Sequence, residues 1–118
     1  MDFSQFVKDM PNFPKPGVLF RDISPLLSNA AVFDQAIETL GRTFQHESFE
    51  AFVGIESRGF ILASALAQKF KKGFIPCRKA GKLPPPTKAV SYKLEYGEAC
   101  IEMALGQGRV VVVDDVLA

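Results

Sequence analysis

Apolar and polar positions divide the chain into short runs with different periods. Val110-Val111-Val112-Val113 is unbroken and predicts a strand buried on both faces, as in the interior of a parallel sheet. Phe52-Val53-Gly54-Ile55 and Gly73-Phe74-Ile75-Pro76-Cys77 predict two more short buried strands. Phe33, Ala36, Ile37, Leu40 and Phe44 recur at helical spacing, with Ser28 or Asn29 as the cap, and predict a helix running to about residue 44. Residues 60–70 have the composition of a second helix, and residues 2–10 place Phe3, Phe6, Val7 and Met10 on one face of a short amphipathic one. Residues 90–94 and 99–103 alternate as strands, with Glu95-Tyr96-Gly97-Glu98 turning between them.

Breakers complete the pattern. Pro11, Pro14, Pro16 and Gly17 forbid regular structure and predict a stiff, extended loop. Residues 80–89 hold three prolines, a glycine and two lysines and predict an exposed loop, and Gly106-Gln107-Gly108 predicts a turn. The resulting order is helix, strand, helix, strand, hairpin, strand. It predicts an α/β fold: a mainly parallel sheet flanked by helices, with an antiparallel pair inserted near one edge. One domain covers residues 1–118, with residues 1–35 as a cap or hood segment over the strand ends.

Composition narrows the chemistry. The 118 residues are 47% hydrophobic, with eleven Phe and no Trp, enough for a packed core. A formal net charge of +1 supplies no global field for nucleic acid or an anionic membrane. Phosphate chemistry therefore requires a local cluster of cations. No apolar run approaches the roughly 20 residues of a membrane span, and Met1-Asp2-Phe3 does not open a signal-peptide pattern. Cys77 and Cys100 have no metal-ligand spacing, and a reducing cytosol suits them, with one disulfide left open.

Four cations follow strand ends or lie in the loop just beyond: Arg58, Arg78, Lys79 and Lys82. Arginine forks match phosphate oxygens and lysine adds point charge, although any one of them also reads as a solubilising surface residue. Glu56-Ser57-Arg58-Gly59 is a tight polar turn between strand and helix, where backbone N–H groups and the helix dipole favour an anion. Asp114-Asp115 follows the valine strand, where ligands bind open parallel sheets. The pair suits a ribose diol or a hydrated Mg²⁺, or else acid at a helix N-terminus. Glu95-Tyr96 at the hairpin tip reads as a solvated turn or as a lid bearing a general acid or base. His46 reads as a helix-terminal residue. The absence of GxxxxGK[ST] excludes a P-loop kinase, and no GxGxxG supports a dinucleotide fold. Together these features point to handling of a sugar phosphate or diphosphate.

Five stretches, in order, resemble the adenine phosphoribosyltransferase family. They are Phe13-Pro14-Lys15-Pro16-Gly17-Val18-Leu19-Phe20-Arg21-Asp22-Ile23-Ser24-Pro25; Gly54-Ile55-Glu56-Ser57-Arg58-Gly59-Phe60; Arg78-Lys79-Ala80-Gly81-Lys82-Leu83-Pro84; Ser91-Tyr92-Lys93-Leu94-Glu95-Tyr96-Gly97; and Val112-Val113-Asp114-Asp115-Val116-Leu117-Ala118. The resemblance implies a type I phosphoribosyltransferase fold and purine salvage: adenine and phosphoribosyl diphosphate give AMP and diphosphate, with Mg²⁺, in a cytoplasmic homodimer. It implies adenine binding by Leu19, Phe20 and Arg21, through backbone groups and ring stacking. Ser57, Arg58, Arg78, Lys79 and Lys82 would hold diphosphate, with Arg58 and Lys82 supplied by different subunits. Asp114, Asp115 and Ala118 would hold the phosphoribosyl group, the two aspartates meeting the metal indirectly through substrate or water. Glu95, Tyr96 and Arg58 would be catalytic, Glu95 exchanging the purine proton. A cis Glu56–Ser57 peptide is also implied. In the family the acidic pair runs on into an Ala-Thr-Gly-Gly-Thr phosphate loop, of which Ala118 is the first residue. The expectation is therefore a chain cut within that motif, its C-terminal part missing, with little activity alone. The alternative is a non-catalytic sensor of nucleotide or phosphoribosyl diphosphate on the same fold, but the first residues show no helix-turn-helix length or basic surplus.

Overall fold

The computed structural model describes residues 1–94, 97–106 and 108–116. The chain forms two compact units, residues 1–45 and a second that begins at His46.

The first unit departs from expectation at its start. Residues 2–10 do not form one helix. Asp2 accepts a hydrogen bond from Ser4 N and caps a 3₁₀ turn, Phe3–Phe6, after which Val7 turns extended at ψ 123°. Strand β1 (Lys8–Pro11) then pairs antiparallel with β2 (Leu19–Asp22), Met10 opposite Phe20. The proline-rich segment is thus the connection of a hairpin, closed where Phe13 N donates to Val18 O and Gly17 N to Asn12 Oδ1. A short helix α1 (Ser24–Ser28) follows, with proline in its first turn. Helix α2 (Ala30–Arg42) is capped as its sequence requires: Asn29 Oδ1 accepts from Val32 N at 3.2 Å. Leu26, Val32 and Ala36 form the core here, with Phe3, Phe6, Leu27 and Phe33 packed around them.

The second unit is a five-stranded mixed sheet. Its strands are β3 (Ala51–Ile55), β4 (Gly73–Lys79), β5 (Thr87–Leu94), β6 (Gly97–Ala104) and β7 (Val110–Val113), in the order β5-β6-β4-β3-β7. β3 lies parallel between β4 and β7, and the antiparallel β5–β6 hairpin extends the β4 side. Helix α3 (Arg58–Phe70) crosses from β3 to β4 and packs on both, burying Leu62, Ala63, Leu66 and Ala67 against one face. Phe52, Val53 and Leu66 are the most deeply buried large side chains.

Two details depart from the sequence pattern. The valine strand is not buried on both faces. Val113, opposite Gly54, turns to the α3 face and is buried, whereas Val112, opposite Val53, turns the other way and is 62% exposed. β7 pairs with β3 alone among the described strands, so one flank lacks a neighbour there. Arg78 and Lys79 do not follow β4 but end it, opposite Glu102 and Ile101 of β6. Among the described residues, no helix is long and apolar enough to cross a membrane.

Candidate active site

The site in the second unit is built where the parallel strands β3 and β7 end side by side. β3 stops at Ile55, Glu56-Ser57 turns, and α3 starts at Arg58. The Glu56–Ser57 peptide is cis. Ser57 occupies the cap position without spending its side chain on the helix, and it is exposed.

The acidic pair meets this turn directly. Arg58 Nε lies 2.7 Å from Asp115 Oδ2, with side-chain exposures of 39% and 7%. That oxygen is buried and makes no directed hydrogen bond, so the N–H does not point along the short contact and the pair is held by charge. Asp114 Oδ1 accepts from Asp115 N at 2.9 Å. Partial desolvation raises the carboxyl of Asp114, an otherwise exposed residue, with the Asp115 N–H pulling the other way. The close approach depends on Gly59. A β-carbon there would meet Val113 O at 2.8 Å and Asp114 Oδ1 at 3.1 Å.

The second cationic group is set by a carboxylate that the motifs left without a role. Glu56 Oε1 accepts from Arg78 Nε and from Lys79 N, both at 3.1 Å. The Lys79 N–H chiefly, with Arg78 adding, holds the Glu56 carboxyl below its usual range, against a smaller opposing effect of desolvation. Thus the turn after β3 organises the end of β4 as well as the start of α3. Lys82 is exposed on the following loop, where its N–H donates to Lys79 O at 3.2 Å. Sequence reasoning passed over Glu56 because a lone acid beside Ser57 and Arg58 carries no period. Its signal was position: a carboxylate leaving one strand beside the basic end of the next.

The other expected residues divide into two groups. Leu19, Phe20 and Arg21 lie on β2 in the first unit, where Phe13 packs edge-on against Phe20 at 5.2 Å between ring centres. Glu95, Tyr96 and Ala118 lie outside the described residues.

The donor set constrains any metal. Among the described residues, no group of three or more His, Cys, Asp or Glu is placed to hold an ion. Asp115 already faces Arg58, and Asp114 is shared with a backbone N–H. This fits an ion held mainly by substrate oxygens and water, as Mg²⁺ tolerates, and does not fit a protein cage. Cys77 and Cys100 are free thiols, and burial pushes Cys77 upward.

No family model matches the chain. Individual relatives do. An adenine phosphoribosyltransferase of Bdellovibrio bacteriovorus is 56% identical over 118 residues, covering all of this chain and 72% of the relative. One from a Synechococcus strain is 54% identical, covering the whole chain and 70% of the relative. Among solved structures, the adenine phosphoribosyltransferase of Thermoanaerobacter pseudethanolicus superposes with a TM-score of 0.89 at 40% identity, over 98% of this chain and 70% of that one. The Saccharomyces cerevisiae enzyme, crystallised with an iminoaltritol bisphosphate and adenine, gives 0.87 at 35% identity, over 98% and 70%. With identity above one half over the whole chain and a backbone that superposes on a solved member at a TM-score of 0.89, the chain belongs to the adenine phosphoribosyltransferase family, of type I phosphoribosyltransferase fold.

Proposed function

We propose that the protein transfers the phosphoribosyl group from phosphoribosyl diphosphate to adenine, releasing AMP and diphosphate, in purine salvage. The observation that carries this is the meeting of Arg58 with Asp115 at 2.7 Å, which joins the turn after β3 to the carboxylates after β7. A sugar diphosphate has an anionic end and a hydroxylated end, and this pair offers a partner to each. Relatives named as transferases favour this reading over a non-catalytic sensor.

In the reaction the bond from the anomeric carbon to diphosphate breaks and a bond to a purine ring nitrogen forms. Positive charge develops on the ribose ring and negative charge on the leaving group. Arg58, Arg78, Lys79 and Lys82 oppose the second, and Ser57 offers a hydroxyl and the first backbone N–H groups of α3. Asp114 and Asp115 accept from the ribose hydroxyls, and their charge lies on the side of the developing cation. A magnesium ion held by substrate oxygens and water near Asp114 and Asp115 would offset diphosphate charge. Leu19, Phe20 and Arg21 take adenine on β2, with Glu95 receiving the purine proton and Tyr96 helping to exclude water. A homodimer in the cytoplasm is the natural setting of this reading.

The test is an assay of the protein with phosphoribosyl diphosphate, magnesium and adenine, hypoxanthine or orotate, following nucleotide and diphosphate release. AMP alone is expected, with turnover abolished by a chelator and restored by magnesium. Transfer to hypoxanthine or orotate in preference to adenine refutes the substrate assignment, and full turnover in chelator refutes the metal.

A further inference from the structure

Glu102 belongs to none of the motifs, yet it is a buried charged residue, 7% exposed, on β6. A carboxylate removed from water costs several kcal/mol unless its oxygens are hydrogen-bonded. Here the partners come from the basic loop. Glu102 Oε1 accepts from Gly81 N and from Leu83 N, both at 2.9 Å, and Oε2 takes the Thr87 hydroxyl at 3.4 Å. Residues 81 and 83 flank Lys82. Gly81 sits at φ +88°, a conformation side chains rarely adopt, and this curls the backbone so that two N–H groups converge on one oxygen. Ala80 N donates to Cys100 O and Lys82 N to Lys79 O, which closes the base of the same turn. The segment between β4 and β5 has no regular structure, and these bonds hold its first half, while Leu105 N donates to Pro86 O at 3.4 Å near its end.

We propose that Glu102 is the positioning residue of the basic loop. It holds the turn over residues 79–83 so that Lys79 and Lys82 present their ammonium groups to the diphosphate. The carboxylate does not touch substrate. It acts by occupying the concave side of the turn, so that the lysines project from the other. Without it two N–H groups lose their acceptor, and the proline-bounded loop is free to sample other paths. This inference rests on the transferase reading above.

The test compares E102A and E102Q. The amide keeps an oxygen for the two N–H groups, whereas alanine keeps nothing. For E102A, kcat/KM for phosphoribosyl diphosphate should fall about tenfold or more, the effect of one lost charge-assisted bond. KM for adenine should move less than about twofold. E102Q should recover most of the loss. Native-state trypsin cleavage after Lys79 or Lys82 should speed up in E102A and not in E102Q, with thermal unfolding confirming that both are folded. Should E102A fail to fold, G81A serves instead. Its methyl meets nothing within 4 Å but strains the positive φ, and it should reproduce the diphosphate-specific loss. A folded E102A or G81A with unchanged kcat/KM and unchanged cleavage overturns the proposal, as does E102Q behaving like E102A. If the wild-type protein forms no AMP, the kinetic comparison falls away and the cleavage comparison alone decides the role of Glu102.

Discussion

Replacing Gly59 with alanine sets two effects of opposite sign against each other. Gly59 is buried in the first turn of α3. Its new methyl would lie 2.8 Å from the Val113 carbonyl oxygen, 3.1 Å from Asp114 Oδ1 and 3.4 Å from Asp114 Cα. Comfortable contacts begin near about 3.4 Å, so helix and strand must part by roughly half an ångström. The Val113 carbonyl is backbone in a paired strand and cannot rotate aside as a side chain would. Overpacking of this kind costs about 1–3 kcal/mol. Alanine in place of glycine returns at most about 1 kcal/mol in a helix interior, and less in a first turn, where fewer hydrogen bonds depend on it. The clash therefore wins by about 1–2 kcal/mol, a fall of several degrees in Tm at about 4 °C per kcal/mol for a chain of this size. The displaced group is the acidic pair, so KM for phosphoribosyl diphosphate should rise several-fold as well. Circular-dichroism melting and steady-state kinetics of G59A against wild type read both. A variant that melts at or above wild type with unchanged KM refutes the close packing of α3 on the end of β7.

Two further predictions concern the charges. D115N leaves Arg58 without its carboxylate and removes one acceptor offered to the ribose, so KM for phosphoribosyl diphosphate should rise about tenfold. An unchanged KM by initial-rate kinetics would remove Asp115 from the site. Two shifted carboxyls at the site should also give opposite pH slopes of stability. Asp114 is raised above its ordinary 3.8, so the folded chain holds that proton longer than the unfolded one, and stability declines as pH rises from 3.8 through the raised value. Glu56 is lowered below its ordinary 4.5, so its contribution is complete above 4.5 and is lost as pH falls through the lowered value. In melting curves between about pH 3 and pH 6, D114N should gain on wild type with rising pH, and E56Q should draw level with it as pH falls. Parallel curves for both variants would contradict these assignments.

Where one period dominated, the sequence was legible. Phe33, Ala36 and Ile37 gave α2 and Asn29 its cap. The apolar run before Glu56 gave β3, and the polar turn after it located the start of α3 within two residues. Local period failed where a distant partner decided the outcome. Phe3 and Phe6 fit a helix, but β2 offers Lys8–Pro11 a ladder, and the segment is extended. Four valines read as buried on both faces because sequence alone does not show which faces a layer covers, and Val112 turns away from the face that α3 covers. Glu102 falls at a polar position of an alternating strand, which ordinarily means solvent. It is buried because the loop between β4 and β5 folds back over it, a contact 19 to 21 residues away in sequence.

These particulars explain why the candidate site combines strong cations with so little net charge. Arg58 is matched by Asp115 and Arg78 by Glu56, each across a strand boundary. Unopposed guanidinium groups on adjoining strand ends would repel one another and spread. Paired, they hold their places before any ligand arrives, and the carboxylates belong to the same turns that must stay in register. The two pairs are not alike. Glu56 also accepts from the Lys79 backbone, so Arg78 can swing to an anion while Glu56 keeps a partner. Asp115 is 7% exposed and Oδ2 has no hydrogen bond to fall back on, so a ligand that draws Arg58 away has to give that oxygen a donor in exchange. Free diphosphate at neutral pH is chiefly an acceptor, with only a residual P–OH to give, whereas the ribose diol brings hydroxyl donors outright. The geometry thus favours a ligand carrying both groups on one molecule over free diphosphate, by up to the cost of leaving one buried carboxylate oxygen poorly satisfied, about 1–3 kcal/mol.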